Sequence, residues 1–267
     1  GYSIKTDGTM WAWGNNEYGE LGQINTTQYS SPVQIGSDST WEGVFSLRNT
    51  TFLIKNDNTL WSMGYNNYGA LAQNSGPATF GSQSSPIQIP GTTWSTDIKK
   101  WGGGQYHVAT VKTDGTLWLW GYNNKGQLGQ NNETHYSSPV QIPGTNWKYV
   151  EGNAVDMGMT ATKTDGTLWS WGGNNFGVLA NNSRTDYSSP VQVPGTTWDE
   201  LSGGASVFVA TKTDNTLWTW GTNNQGNLGQ NQGYPGHRSS PVQIPGTTWG
   251  YPLAARFGYA AGGLKQT

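Results

Sequence analysis

The chain has 267 residues, 14 basic and 16 acidic side chains, a formal charge of −2 and no cysteine. Near-neutrality excludes the basic stripe of a general nucleic-acid binder. The missing cysteine excludes disulfides, thiolate metal sites and a cysteine nucleophile. Only 33% of residues are hydrophobic, but fifteen Trp and thirteen Tyr carry the area needed to close a core, and no apolar run approaches the roughly 18 residues that span a membrane.

Taken in chain order, the elements are five versions of one unit. Each unit has a β-branched or aromatic run ending in lysine (Lys5, Lys55, Lys112, Lys163, Lys212), then a turn, then a WxWG-type string closing at Gly14, Gly64, Gly121, Gly172 or Gly221. An Asn/Gly-rich loop follows, then SSPVQI with Pro32, Pro86, Pro139, Pro190 or Pro241, and the unit ends at Trp41, Trp94, Trp147, Trp198 or Trp249. The lysines recur every 49 to 57 residues, and only Trp101 among the tryptophans stands outside the pattern. The repeats run over 5–54, 55–111, 112–162, 163–211 and 212–264 within a single domain, 1–267.

Within a unit, VATVK, TDG and TLWLWG read as a hairpin about a two-residue type I′ turn at Asp114-Gly115. Positive φ is therefore expected at Gly8, Gly115 and Gly166, and at Asn58 and Asn215, where asparagine replaces glycine. Alternation puts Trp118 and Trp120 on one face of the next strand and Leu119 on the other. About four short strands in about 50 residues fit one blade of an all-β propeller. The rival, a β-solenoid, uses shorter repeats. Lys265 aligns with Lys5, so the ends are expected to close the ring by sharing one blade, with residues 262–267 displaced, frayed or leading onward into a longer polypeptide.

At GTLWxWGxNxxGQLG…SSPVQI the chain resembles the regulator-of-chromosome-condensation repeat family. The resemblance implies a propeller, usually of seven blades where five units are counted here. It also implies functions ranging from nucleotide exchange on a small GTPase to protein inhibition and virion or extracellular binding. Met63, Ala72 and Ala180 depart from the motif. The neutral SSPVQIPGTTW wording is similar to bacterial and bacteriophage members.

Catalytic chemistry is hard to find. His107, His135 and His237 are scattered without metal spacing. Asp7, Asp57, Asp114, Asp165 and Asp214 form an array, but each sits at a hairpin turn. No nucleophile elbow, phosphate loop or dinucleotide fingerprint occurs in context. The repeated tryptophans read as blade packing, ahead of a sugar-stacking array. No enzyme activity, cofactor or metal is expected. The loops before SSP vary in length, and insertions in repeats mark binding faces. The candidate partner-binding residues are Phe80, Tyr136, Tyr187, Tyr234, His237 and Arg238. The reading is a recognition module of a bacteriophage virion or extracellular surface (fibre, adhesin or capsid decoration) that binds a protein or glycan within a larger assembly, with no nucleic acid and no membrane insertion. The alternatives are a secreted protein inhibitor and a small-GTPase regulatory propeller.

Overall fold

The computed structural model describes residues 1–76, 81–155, 157–231 and 236–254, and the backbone of a last strand at 261–265. The chain is all-β. The helical turns among the described residues are Asn67–Gly69 and Ile98–Lys100. The first sheet is β1 (Tyr2–Ile4), β2 (Met10–Gly14) and β3 (Tyr29–Gln34). Four complete antiparallel blades follow. They are β4–β7 (Trp41–Ser46, Thr50–Lys55, Leu60–Gly64, Gln83–Ile89) and β8–β11 (Trp101–Gly103, His107–Val111, Leu117–Gly121, Tyr136–Ile142). The other two are β12–β15 (Trp147–Gly152, Gly158–Lys163, Leu168–Gly172, Tyr187–Val193) and β16–β19 (Trp198–Gly203, Val207–Lys212, Leu217–Gly221, Arg238–Ile244). A two-stranded sheet, β20 (Trp249–Ala254) and β21 (Ala261–Lys265), ends the series. Each blade therefore takes its first two strands from the end of one sequence repeat and its other two from the next.

The inner strands contact one another through backbone. A Cβ added to Gly152 would lie 2.8 Å from the carbonyl carbon of Gly103, and one on Gly203 would lie 2.6 Å from the Gly152 oxygen. Glycine in a strand, normally weakening, is here the condition for close approach. The apolar cores sit between blades. One unites Phe45, Phe52 and Leu60 with Trp101, Val108 and Trp120 of the next blade, and equivalent clusters join each later pair. Trp101, outside the repeat pattern, is fully buried beside Phe45 and Phe52, and its indole N–H donates to the Ser95 carbonyl at 2.7 Å.

The tryptophans pack as blade-to-blade elements. The indole N–H groups of Trp120, Trp171 and Trp220 donate to Ala70, Gln127 and Val178 carbonyls of the preceding blade at 2.8–2.9 Å.

Two details differ from the sequence reading. The hairpin turn is a three-residue one. Gly115 N–H bonds to the Lys112 carbonyl and Lys112 N–H to Thr116, while φ is positive at Gly115 (78°) and not at Asp114. This is a type I turn followed by a left-handed residue rather than type I′. The expected positive φ holds at all five positions, from 60° at Asn215 to 81° at Gly8. The second difference concerns the ends. β21 is not displaced: it pairs with β20 from Trp249–Lys265 to Ala254–Ala261, while β1 pairs with β2. No hydrogen-bonded ladder joins these two sheets among the described residues. Each copy of the duplicated strand is already held in register by its own antiparallel neighbour.

A Cβ on Gly115 would lie 2.2 Å from the Thr145 carbonyl oxygen, whereas one on Gly36 (φ 57°) meets nothing within 4 Å. Gly115→Val should therefore cost at least about 2 kcal/mol of unfolding free energy. Gly36→Ala should cost about 1 kcal/mol, the left-handed penalty alone. Urea denaturation measures both, and equal losses would show that the Thr145 contact is unimportant.

Candidate functional site

The strand order sorts the connections onto two ends. At one end lie the turns from innermost to second strand and the Asn/Gly loops from third to fourth. At the other lie the TDG hairpins and the PGTTW links. All length variation before SSP therefore falls on the first end, the loop face.

The hairpin carboxylates are turn chemistry. Asp114 Oδ1 accepts from the Thr116 N–H and hydroxyl, and the Thr116 hydroxyl accepts from the Trp118 indole at 2.8 Å. The same chain recurs from Asp7, Asp57, Asp165 and Asp214. Repeat lysines lie over these indoles, as Lys5 does at 3.7 Å from the Trp11 ring centre. The histidines are likewise occupied. His135 and His237 each accept, at Nδ1, the N–H of Asn123 or Asn223 at 3.0 Å, and burial lowers the pKa of both. Asp186 takes the same place against Asn174 at 2.8 Å. His107 is buried with Nε2 3.2 Å from the Met159 sulfur. No cluster of three metal-ligating side chains occurs among the described residues.

The proposed loop residues scatter. Phe80 and Tyr234 lie outside the described residues. Tyr136 and Tyr187 open β11 and β15 half-buried, packed on interblade clusters, and Asn132 donates to the Tyr136 hydroxyl. His237 stacks obliquely on Phe176 of the preceding blade, ring centres 5.1 Å apart. Arg238 opens β19 opposite Gly221. The four described residues thus begin or latch outer strands and do not converge on one patch.

Convergence occurs instead at the axis. On the loop face the innermost turns surround a cleft of about 600 Å³ whose lining includes Leu47, Arg48, Gln105, Ala154, Val155 and Ala205. Arg48 is exposed and Val155 is 51% exposed, so among the described residues one guanidinium stands in a largely apolar mouth. At the opposite end a smaller cleft holds Ile98, Lys99, Tyr149, Glu200, Tyr251 and Leu253. There Lys99 bonds Glu200 at 3.2 Å and lies 3.9 Å from the Tyr251 ring centre. Sequence reading missed both mouths. The available signal was the loss of repeat identity in the innermost strands and turns, where Arg48 is matched in sequence by Arg256 and by no basic residue in the other copies.

Stacked four-stranded blades with interblade cores define a β-propeller. A family profile described as Regulator of chromosome condensation (RCC1) repeat matches residues 7–49, 114–154 and 165–206. These three segments of the chain are RCC1-type repeats. It is 33% identical over 81 residues to "Protein RCC2 homolog" of Danio rerio, covering 30% of this chain and 16% of that protein. It is 32% identical over 135 residues to "X-linked retinitis pigmentosa GTPase regulator" of Mus musculus, covering 48% of this chain and 14% of that protein. The chain thus matches about a sixth or less of these relatives' lengths. Among solved structures, human WBSCR16 aligns with TM-score 0.74 at 18% identity, over 98% of this chain and 68% of that one. Prp20p of Saccharomyces cerevisiae aligns with TM-score 0.74 at 16% identity, over 95% and 65%. These two establish the fold.

The comparisons correct the reading as a bacteriophage virion or extracellular surface protein. The matching relatives come from zebrafish, human, mouse and Arabidopsis, and are named as RCC2, a GTPase regulator, an ultraviolet-B receptor and a ubiquitin ligase. None of these names is that of a fibre, an adhesin or a glycan binder. The neutral Asn/Gly/Ser surface that suggested a virion is instead a packing requirement of the blades.

The hairpin carboxylates are held below their ordinary values, first by the threonine hydroxyl bonds. Asp38 is drawn down to about 2, first by its bond to Lys55 and then by Thr40. A depressed carboxylate stabilises the fold above its unfolded pKa and loses that contribution as pH falls through the folded one. Stability should fall as pH drops from about 4 toward about 2, with Asp38→Asn flattening the acid end. Chemical denaturation across this window checks it, and a flat wild-type profile would count against the network.

Proposed function

We propose that this propeller is a non-catalytic regulatory module that recognises a protein of the small-GTPase class through the axial mouth of its loop face. The carrying observation is Arg48 exposed in an apolar cleft of about 600 Å³ beside Val155. Concave apolar surface with one oriented polar group suits an inserted loop, and a guanidinium fork suits a carboxylate on it. The match to a protein named as a GTPase regulator supports the choice of partner class. So does the likeness in fold to Prp20p, a protein described by its binding to Gsp1p and histones. The repeat-derived residues supply the same side chains in every blade and are consumed by turns and packing, which supports a binding rather than a catalytic role.

The test is a panel of purified small GTPases loaded with fluorescent nucleotide, read by calorimetry and by nucleotide release. Arg48→Glu and Val155→Asp should each weaken binding at least about ten-fold, about 1.4 kcal/mol, with melting temperature unchanged. Binding that survives both substitutions would remove the axial mouth as the site. Absence of binding across the panel would remove the GTPase class.

A further inference from the structure

Four interblade seams use one backbone device. A glycine of each Asn/Gly loop (Gly19, Gly69, Gly126, Gly177) lies flush on a serine of the next sheet (Ser84, Ser137, Ser188, Ser239). An added Cβ would come within 2.3–2.5 Å of that serine. Five residues on, the N–H of Ile24, Asn74, Asn131 or Asn182 donates to the same serine's carbonyl at 2.7 Å. The backbone is thus fixed alike at each copy, and the side chain before the glycine lies over the seam. At two seams it is Lys125, bonded to Asp186, or Phe176, packed on His237.

At the two seams joining the first three sheets it is tyrosine, and an aromatic band results. Tyr18 meets Tyr65 with ring centres 4.3 Å apart. Tyr68 meets Tyr122 at 4.3 Å, His135 at 5.1 Å and Tyr106 at 5.7 Å. The fold does not require these rings. Tyr65 and Tyr122 each donate a backbone N–H to the innermost turn, at the Asn49 or Tyr106 carbonyl. Gly173 and Thr222 make the same bond to Met157 and Ser206 without an aromatic side chain. The band also carries strain. Tyr68 holds φ at 55°, whereas Tyr18, Lys125, Phe176 and Gln225, at the same repeat position, do not take positive φ. That conformation is costly for a bulky residue, and strain kept at one copy of five marks a functional position. Both seams are closed on each side by this chain, so the band is complete within it.

We infer that this band is a docking groove for a proline-rich segment of a partner protein, and that the segment carries a basic residue. Ring geometry is the first reason. The rings tilt by 34° at Tyr18–Tyr65 and by 45–77° around Tyr68, which makes ridges and furrows rather than one flat stacking face. Pyrrolidine rings seat in aromatic furrows, and a polyproline helix enters them already ordered. Hydrogen bonding is the second. The carbonyls of such a helix have no internal partner, and the band offers phenol donors. The hydroxyls of Tyr65, Tyr68 and Tyr122 make no hydrogen bond among the described residues. The Tyr106 hydroxyl accepts from Gln105 Nε2 at 3.0 Å and keeps its own hydrogen to donate. Charge is the third. Glu17, next to Tyr18, and Glu133, two residues before His135, are exposed and form no ion pair among the described residues. The Glu17 charge reaches the band, holding the Tyr18 phenol above its ordinary pKa. Lys125, the cation at the edge of the band, is already bonded to Asp186 at 2.9 Å. A basic residue on the incoming segment answers the open carboxylates. The groove adjoins the axial mouth at Gln105 but does not rest on the GTPase reading.

Fluorescence polarisation of the full chain with a labelled oligoproline bearing one terminal arginine tests this. Wild type should bind the probe saturably, and an oligoproline ending in glutamate at least about ten-fold more weakly. A Gly/Ser peptide with the same arginine should not compete. Tyr68→Asn should lose at least about ten-fold in affinity while its melting temperature holds, because asparagine tolerates positive φ. Tyr122→Thr, which copies Thr222, should behave likewise and guards against a fault peculiar to one variant. Replacing Glu17 and Glu133 together by glutamine should erase the preference for arginine over glutamate. Failure of wild type to bind the arginine probe would overturn the proposal. So would binding that survives both tyrosine substitutions, or equal binding of the Gly/Ser peptide, which would leave a cation site only. None of these readouts uses a GTPase, so a silent GTPase panel leaves the groove standing, and an idle groove leaves the axial mouth standing.

Discussion

Blade-to-blade contact at the level of the backbone is the constraint from which the rest of this structure follows. A glycine against a serine, and glycine against glycine along the axis, leave no room for Cβ atoms at either place. Once two sheets approach that closely, the donor that bonds the serine carbonyl must come from a left-handed residue, and asparagine fills that position in three of the four interior copies. The Asn/Gly/Ser-rich composition is thus the chemistry of contact. Ile24, the exception, adopts the same φ of 58°, a conformation that costs a β-branched side chain more than asparagine. The device keeps its geometry across copies even where the side chain disfavours it.

The two tryptophans of each WxWG string divide the labour that remains. The second is fully buried in the complete blades that carry it and reaches back with its N–H to the previous blade, so it ties sheets together through both area and a directed bond. The first stays half-exposed, anchored by the turn threonine and covered by the repeat lysine, as at Trp118 beneath Lys112 at 4.8 Å. Hairpin, strand and outer surface are therefore one hydrogen-bonded unit running Asp–Thr–Trp. A core with few aliphatic residues is sufficient because each interface is filled by indoles and locked by backbone.

Much of this was legible because repetition multiplies a weak signal. One WxWG string says little, but five at a constant offset fix the strand, its turn and the face of each tryptophan. Asp114-Gly115 gave the correct sign of φ and the wrong turn length, since Asp-Gly suits both a two-residue turn and a three-residue turn ending in glycine. The bond from Lys112 N–H to Thr116, which separates them, depends on register rather than residue type. The blade boundary was hidden for another reason. The innermost strand begins at the repeat's last tryptophan, and beyond that residue WEGVFS, WKYVEG and WDELSG have no position in common. Strand identity there is carried by close approach to the axis, which leaves no side-chain pattern to read. Tyr136, Tyr187 and His237 looked like binding residues because aromatic residues and histidine in variable loops often are. Their structural partners carry no sequence signal: the Asn132 amide on the Tyr136 hydroxyl, an interblade cluster against Tyr187, and the Asn223 N–H on His237 Nδ1.

Function in such a lattice has to live where the symmetry fails. The repeated residues are already committed: aspartate to threonine, threonine to indole and, at four interblade contacts, glycine to serine. What is left for recognition is the set of positions at which the copies disagree and the side chain still reaches solvent. The innermost turns satisfy both conditions at Arg48 and Val155, which share a mouth with half-buried Gln105 and buried Ala205. The outer loops disagree as strongly, but His135, Asp186 and His237 show that a variable side chain there still accepts the same backbone N–H. Variation in the loops is therefore partly variation in how one structural task is met. At the axis no such task exists, because the turns are closed by their own backbone bonds, such as Leu47 N–H to the Thr50 carbonyl and Gly204 N–H to Val207. At the mouth Arg48 and Val155 reach solvent while Leu47 and Ala205 beside them are buried, so the freedom from the fold's demands belongs to the exposed pair.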